Sequence, residues 1–258
     1  MKIHSLFAAS AALLLTSVAA NAAQVAALIG GDTIAMVDTA QKKATGSVKV
    51  TGISGALVGI DVRPADGMLY GLVDDGTVVT IAMDGKATMN SKLDTMLAKG
   101  VAATVDFNPV ADRLRVMGAD GMNLRANVDD GKVTKDGDHK YAEADMHKGE
   151  KPNIVAGAYT NSVKGTKETA LFNIDATIGG LIKQAPPNDG VLGAIGKLGI
   201  KADNVAFDIW SDGAGKNEAW LMSGDTLYSV DLATGKATEA AKISGVTGTV
   251  KDIAIMGM

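Results

Sequence analysis

The chain of 258 residues contains no cysteine, and that absence removes a lipid-modified cysteine anchor, disulfides and thiolate metal centres together. Aromatic residues make up only 4%, too few to line a sugar-binding groove. Histidine is almost as scarce. Beyond the first few residues only His139 and His147 occur, both in a polar stretch and without a repeated spacing, so they read as solvated loop residues rather than metal ligands. No Gly-x-Ser-x-Gly elbow and no phosphate-cradling glycine motif is present, which removes support for hydrolases of that type and for P-loop chemistry. Clustered basic charge is missing too. With 25 basic against 29 acidic residues the chain is mildly acidic, which argues against nucleic acid or an anionic membrane surface as the main partner.

What is present begins with an export pattern. Lys2 supplies a positive start, Leu6 to Leu15 is apolar, and Ala20-Asn21-Ala22 has the small-x-small form of a cleavage site. The expectation is a signal peptide over residues 1–22 and one domain over residues 23–258, placed in the periplasm or outside the cell without a lipid anchor. No later run approaches the ~20 apolar residues of a membrane span, so no membrane insertion is expected.

Turn chemistry dominates the remainder. Asp-Gly occurs eight times among 31 glycines. Between these breaks lie short runs rich in Val, Ile, Leu, Tyr and Thr, such as Met68–Val73, Thr77–Ile81 and Thr226–Val230, which read as antiparallel strands. Five apolar strands share an ending. They carry Asp61, Asp106, Ala158 (in place of Asp), Asp208 and Asp252, at steps of 45, 52, 50 and 44 residues. Four short strands per repeat of roughly 40–50 residues describe a propeller blade. The fifth copy, 249–255, is a first strand with nothing after it, whereas residues 25–50 hold three strands with none before them. The reading is an all-β, five-bladed β-propeller closed by the C-terminal strand joining the N-terminal blade, which leaves no open edge in the ring. Residues 136–152 and 184–198 read as inter-blade loops, and the second strand after Ala158 is hard to place.

The strings Leu57-Val58-Gly59-Ile60-Asp61-Val62-Arg63-Pro64 and Asp106-Phe107-Asn108-Pro109-Val110-Ala111-Asp112-Arg113-Leu114-Arg115 carry a family pattern. So do Asn123-Leu124-Arg125, Ala158-Tyr159-Thr160-Asn161 and Pro186-Pro187-Asn188-Asp189-Gly190. Together they resemble the bacterial exported domain-of-unknown-function family 4394 over nearly the whole chain after residue 22. The resemblance implies a propeller-like repeat and export, and no activity.

Two sets of residues could carry chemistry. In a propeller the first strands line the channel, so Asp61, Asp106, Asp208 and Asp252 would converge and could hold a hard cation such as Ca²⁺. Alternatively each carboxylate accepts backbone N–H groups between blades, a fold-maintaining role that repetition favours. Arg113 and Arg115 share one strand face, with Arg125 on the next strand. With Asn108, Asn123, Tyr159 and Asn161 they could bind a small anionic ligand. The alternative there is an internal ion-pair network with Asp106, Asp112 and their neighbours. Asp129-Asp130-Gly131 and Asp136-Gly137-Asp138 lack the distal Glu of a calcium loop and read as exposed turns. The function expected is a non-enzymatic binding or interaction module for a protein, a matrix polymer or a small anion. The rival is a metal-dependent hydrolase or lactonase built at the channel from Asp61, Asp106, Asn108, Asn161 and Asp208.

Overall fold

The computed structural model describes residues 23–257. The expected signal peptide lies outside the described residues. Among the described residues twenty-one strands follow one another with a single 3₁₀ turn, Pro187–Asp189. The first blade takes β1 (Gln24–Ile29), β2 (Thr33–Asp38) and β3 (Lys43–Lys49). The second takes β4 (Leu57–Val62), β5 (Leu69–Val73), β6 (Thr77–Ile81) and β7 (Ala87–Lys92). The third takes β8 (Ala103–Asn108), β9 (Arg113–Gly118), β10 (Asn123–Ala126) and the short β11 (Val133–Lys135). Next come β12 (Lys140–Tyr141), β13 (Ile154–Tyr159), β14 (Leu171–Asp175), β15 (Gly180–Gln184) and β16 (Val191–Lys197). The fifth blade holds β17 (Ala206–Ser211), β18 (Asn217–Ser223), β19 (Thr226–Val230) and β20 (Ala237–Lys242), and β21 (Val250–Gly257) follows.

The sheet order β21-β1-β2-β3 confirms the closure read from the sequence: β21 pairs antiparallel with β1, setting Ala26 against Ala254 and Ala27 against Ile253. The inner strands are β21, β4, β8, β13 and β17, each packed on the next around the ring. Five meanders are thus joined into one five-bladed propeller.

Local chemistry explains the short strands. At the hairpins an Asp carboxylate accepts the N–H two residues on, as Asp75 does from Thr77, Asp84 from Lys86 and Asp120 from Met122. The following glycine takes the left-handed backbone. At Gly131 (φ 75°) a Cβ would also lie 2.0 Å from the Lys92 carbonyl oxygen, so the turn seats directly on the preceding blade.

Two connections differ from the sequence reading. Residues 191–197 form β16 and not a loop, because the break is confined to the turn around Pro187–Asp189. The segment after β11 is not all loop either: β12 runs parallel to β16 and adds a fifth strand to the fourth blade. The strand hard to place after Ala158 is β14, delayed by an eleven-residue excursion between Tyr159 and Leu171.

The core lies between blades. Five buried apolar clusters correspond to the five seams, and four of them contain twelve or thirteen buried residues. The seam between the third and fourth blades has eight, and polar side chains fill the rest. Removing residues 249–258 deletes the inner strand of the first blade and bares β1. The expected outcome is loss of the monomer peak in size-exclusion chromatography with aggregation at micromolar concentration. A truncated chain that stays monomeric with an unchanged melting temperature would contradict closure by β21.

Candidate functional site

The recurrent carboxylates come together, and their hydrogen bonds run between blades. Asp61 Oδ2 accepts the Phe107 N–H of the next blade at 2.6 Å. Asp106 Oδ1 accepts from Tyr159 at 2.9 Å, Asp208 Oδ2 from Ile255 at 2.7 Å, and Asp252 Oδ2 from Ile60 at 3.0 Å. In Asp61, Asp208 and Asp252 the second oxygen accepts the N–H of the following residue. Four of the five seams are pegged in this way. Gly59 makes room for one peg, since a Cβ there would sit 2.9 Å from Asp252 Oδ2 and 2.6 Å from a Val105 methyl. At the fifth seam Ala158 supplies no carboxylate. Asn161 and Asn217 instead exchange two hydrogen bonds, and Ser211 accepts from the Ser162 N–H.

Oxygens of Asp61, Asp106 and Asp208 lie within 4.8 Å of one another. All four carboxyls are buried, and burial is the first cause that raises each of them above the usual carboxylate range. Neighbouring carboxylates push Asp61, Asp106 and Asp252 further, while the backbone N–H bonds pull the other way. Asp208 is raised to about 6.

The arginine group resolves into separate tasks. Arg115 is wholly buried. Its Nη1 reaches Asp136 Oδ2 at 2.6 Å and Asn123 Oδ1 at 3.0 Å, Nη2 reaches Asn188, and Nε donates to the Tyr159 hydroxyl. Arg125 clasps the same Asp136 from a partly exposed position. Asn123 Nδ2 donates to the Gly137 and Pro187 carbonyls. The ion-pair network read from the sequence is therefore present, with Asp136 as its anion instead of Asp106 or Asp112. Asp136 is not an exposed turn residue: its side chain is 5% exposed, sandwiched between the two guanidinium groups.

Arg113 bonds the carbonyls of its own turn, and Asn108 accepts the N–H groups of Val110 and Ala111. Asp112 serves a residue that the sequence reading passed over. Buried Arg63 grips Asp112 and Asp129 with both arms, joining the second and third blades under Tyr70 and Phe107.

His139 is not solvated. It is 7% exposed with both ring nitrogens unpaired, and burial lowers its pKa to about 4, with Arg115 adding to the effect. His147 packs on the Tyr141 ring and contacts Glu150.

A further feature was missed. Where the five inner strands begin, a funnel of about 480 Å³ opens on the channel axis. Every blade contributes: Ala56 and Val58 from the second, Val101 to Ala103 from the third, Ile154 and Val155 from the fourth, Val205 from the fifth and Val250 from the first. The connection carrying Met96, Leu97 and Ala98 forms one wall. Asp74, Lys99, Asp203 and Lys251 stand at the exposed rim. The carboxylates lie deeper: Asp106 is three residues beyond Ala103 along β8, roughly 10 Å. The available signal was Met96-Leu97-Ala98, an apolar stretch inside the connection between β7 and β8.

The two halves of the arginine network are unequal. Replacing Asp136 by Ala leaves Arg115 buried without its anion, and a loss of about 3–5 kcal/mol in urea denaturation is expected. Replacing Arg125 by Ala leaves that pair intact at a partly exposed site and costs about 1 kcal/mol or less. Equal losses for the two variants would show that the buried pair does not hold the seam.

Comparison with known proteins adds likeness of fold. A structural genomics protein of unknown function from Bacteroides thetaiotaomicron superposes with a TM-score of 0.54 at 14% identity, over 90% of this chain and 64% of that one. A protein of unknown function from Bacteroides caccae gives 0.45 at 10% identity, over 91% of this chain and 99% of that one. The dihydro-heme d1 dehydrogenase NirN in complex with DHE gives 0.41 at 11%, over 86% and 44%. No curated protein matches the chain. The model of the family described as "Domain of unknown function (DUF4394)" matches residues 33–254, and the chain belongs to that family.

Proposed function

We propose that the chain is an exported binding module that takes a small, largely apolar ligand, or the apolar part of a larger partner, in the funnel at the start of the inner strands. The observation that carries this is the funnel itself. A cavity of about 480 Å³ lined mainly by Ala, Val, Leu, Ile and Met has the size and character of a small-molecule pocket, and charges of both signs at its rim can orient a bound group. All five blades supply its wall, so ring closure presets its shape and lowers the ordering cost of binding.

Binding without turnover is the better reading of this lining. The wall itself is apolar, and the charged side chains of the lining, Asp74, Lys99, Asp203 and Lys251, stand at its exposed rim. A hydrolase or lactonase using the channel carboxylates would need oxygens turned toward substrate. Here those of Asp61 and Asp208 each already accept a backbone N–H. The export reading rests on Lys2, the apolar run Leu6–Leu15, Ala20-Asn21-Ala22 and the absence of cysteine. It agrees with the finding that no helix among the described residues is long and apolar enough to cross a membrane.

A thermal-shift screen of apolar and amphiphilic small molecules tests the site. Compounds that raise the melting temperature of the wild type are expected to lose that effect in Ala103→Trp and in Ala98→Trp, which fill the funnel from two different segments. The unliganded melting temperature of each variant establishes that it still folds. Compounds that stabilise wild type and both folded variants equally would place binding elsewhere and overturn the proposal.

A further inference from the structure

The strap that carries the chain from the third blade to the fourth is stitched to both. Asp136 and His139 donate their backbone N–H groups to the carbonyls of Asn123 and Gly121 in the third blade. Gly137, Lys140 and Ala142 donate theirs to Asn188, Gly190 and Leu192 in the fourth. The approach is close: a Cβ on Gly137 would lie 2.6 Å from the Asp189 carbonyl oxygen. β12 then adds two residues, Lys140 and Tyr141, to the edge of β16, and a connection over 142–153 leads on to β13.

Inside this strap His139 is buried, and both of its ring nitrogens are closed off from solvent without a hydrogen-bond partner. A neutral imidazole leaves one donor and one acceptor unmet there. An imidazolium would leave two donors and a full charge. The charged groups around it give little relief. Arg115 on β9 repels a second cation, and its anion Asp136 is already shared with Arg125 on β10. Asp120 in the β9–β10 turn accepts the Met122 N–H. Asp138 in the strap pairs with exposed Lys135, and Asp175 at the end of β14 accepts from Tyr141, Asn153 and Thr177. These three carboxylates attract a positive charge on His139, but none makes a hydrogen bond to its ring. Lys140 on β12 and Asp189 in the 3₁₀ turn are exposed.

We infer that His139 is an acid-operated latch: protonation of its imidazole lifts residues 138–153, β12 included, off the third and fourth blades while the ring of inner strands stays closed. The division follows from the fold. β12 is a two-residue edge strand, so its departure leaves the other four strands of its blade hydrogen-bonded. β8 and β13 keep their own link, the Asp106 carboxylate on the Tyr159 N–H. Asp136, clasped by both arginines, anchors the near end of the strap. Release bares Val191 and Leu192 on the edge of β16, a stretch of strand backbone open to another chain.

The sign follows from linkage. Burial lowers His139 from the usual 6.5 to about 4, and Arg115 adds to the effect. The closed strap therefore has its full stability above about 6.5 and loses it as pH falls toward about 4. Between pH 7 and pH 5 the equilibrium is expected to move toward the open strap by about twentyfold.

Hydrogen-exchange mass spectrometry on the full chain reads this opening. Protection factors, corrected for the intrinsic pH dependence of exchange, are expected to fall about twentyfold over 138–153 between pH 7 and pH 5 in the wild type, with those over β4 and β8 unchanged. In His139→Phe, which keeps an aromatic ring and cannot be protonated, the strap is expected to hold the same protection at both pH values. Protection over β4 and β8 shows whether that variant folds, and His139→Leu replaces it if it does not. A wild-type strap whose protection is equal at pH 7 and pH 5 would overturn the inference without reference to any variant. So would an equal fall in wild type and folded variant, which would assign the loosening to another group such as His147 in the same segment. Loss of protection across all five blades together would overturn it too, because the ring itself would then be opening.

Discussion

The structure depends on one interaction, repeated: an aspartate on an inner strand gives its carboxylate to the backbone N–H of the neighbouring inner strand. A propeller's blades are separate sheets, and no ladder of backbone hydrogen bonds runs from one to the next. Apolar packing at the seams supplies most of the stabilisation but is indifferent to small slips. The charged acceptor adds direction and register, because it must meet one N–H at hydrogen-bonding distance. The cost is that these acceptors crowd onto the axis, where burial disfavours their charge. Stability and electrostatic stress thus come from the same atoms.

The seams depart from that pattern in informative ways. Between the third and fourth blades the apolar cluster is the smallest, and a buried polar lattice replaces it: Arg115 with Asp136, Asn123, Asn188 and Tyr159, continued by Gln184 and Asn173. Between the fourth and fifth blades the peg is missing. There an Asn161–Asn217 exchange and a large apolar cluster take over. Asn161 can do this because its backbone sits at φ 56°, a conformation that Asn tolerates better than most side chains. Asn161 follows the C-terminal end of β13, whereas the funnel lies where the inner strands begin.

Much of this could be read in the chain. Asp-Gly punctuation marks hairpins because aspartate caps the turn and glycine accepts positive φ, both local properties. The blade count and closure followed from strand spacing, from a first strand with nothing after it at 249–255 and from three strands with none before them at 25–50. The reading failed where a side chain's role depends on distant partners. Asp136 read as a turn residue because its neighbours are Gly137 and Asp138, yet Arg115 and Arg125 bury it. His139 read as solvated for the same reason. Arg63 drew no notice, since its partners Asp112 and Asp129 lie 49 and 66 residues away. The stretch read as a loop over 184–198 lost its strand because the prolines and Asn188-Asp189-Gly190 dominate the local signal.

The amino-acid sequence by itself determined the all-β class, the five-fold repeat, the closing strand and the aspartates that mark each inner strand, because strand period, turn chemistry and repeat spacing are encoded within a few residues of one another. Only the tertiary structure decided which arginine meets which aspartate, that the converging carboxyls take up backbone N–H groups of neighbouring blades, and that a lined funnel stands above them. Those features arise from closing a ring, which brings together residues tens to hundreds of positions apart. No local pattern specifies which groups will face one another across its axis.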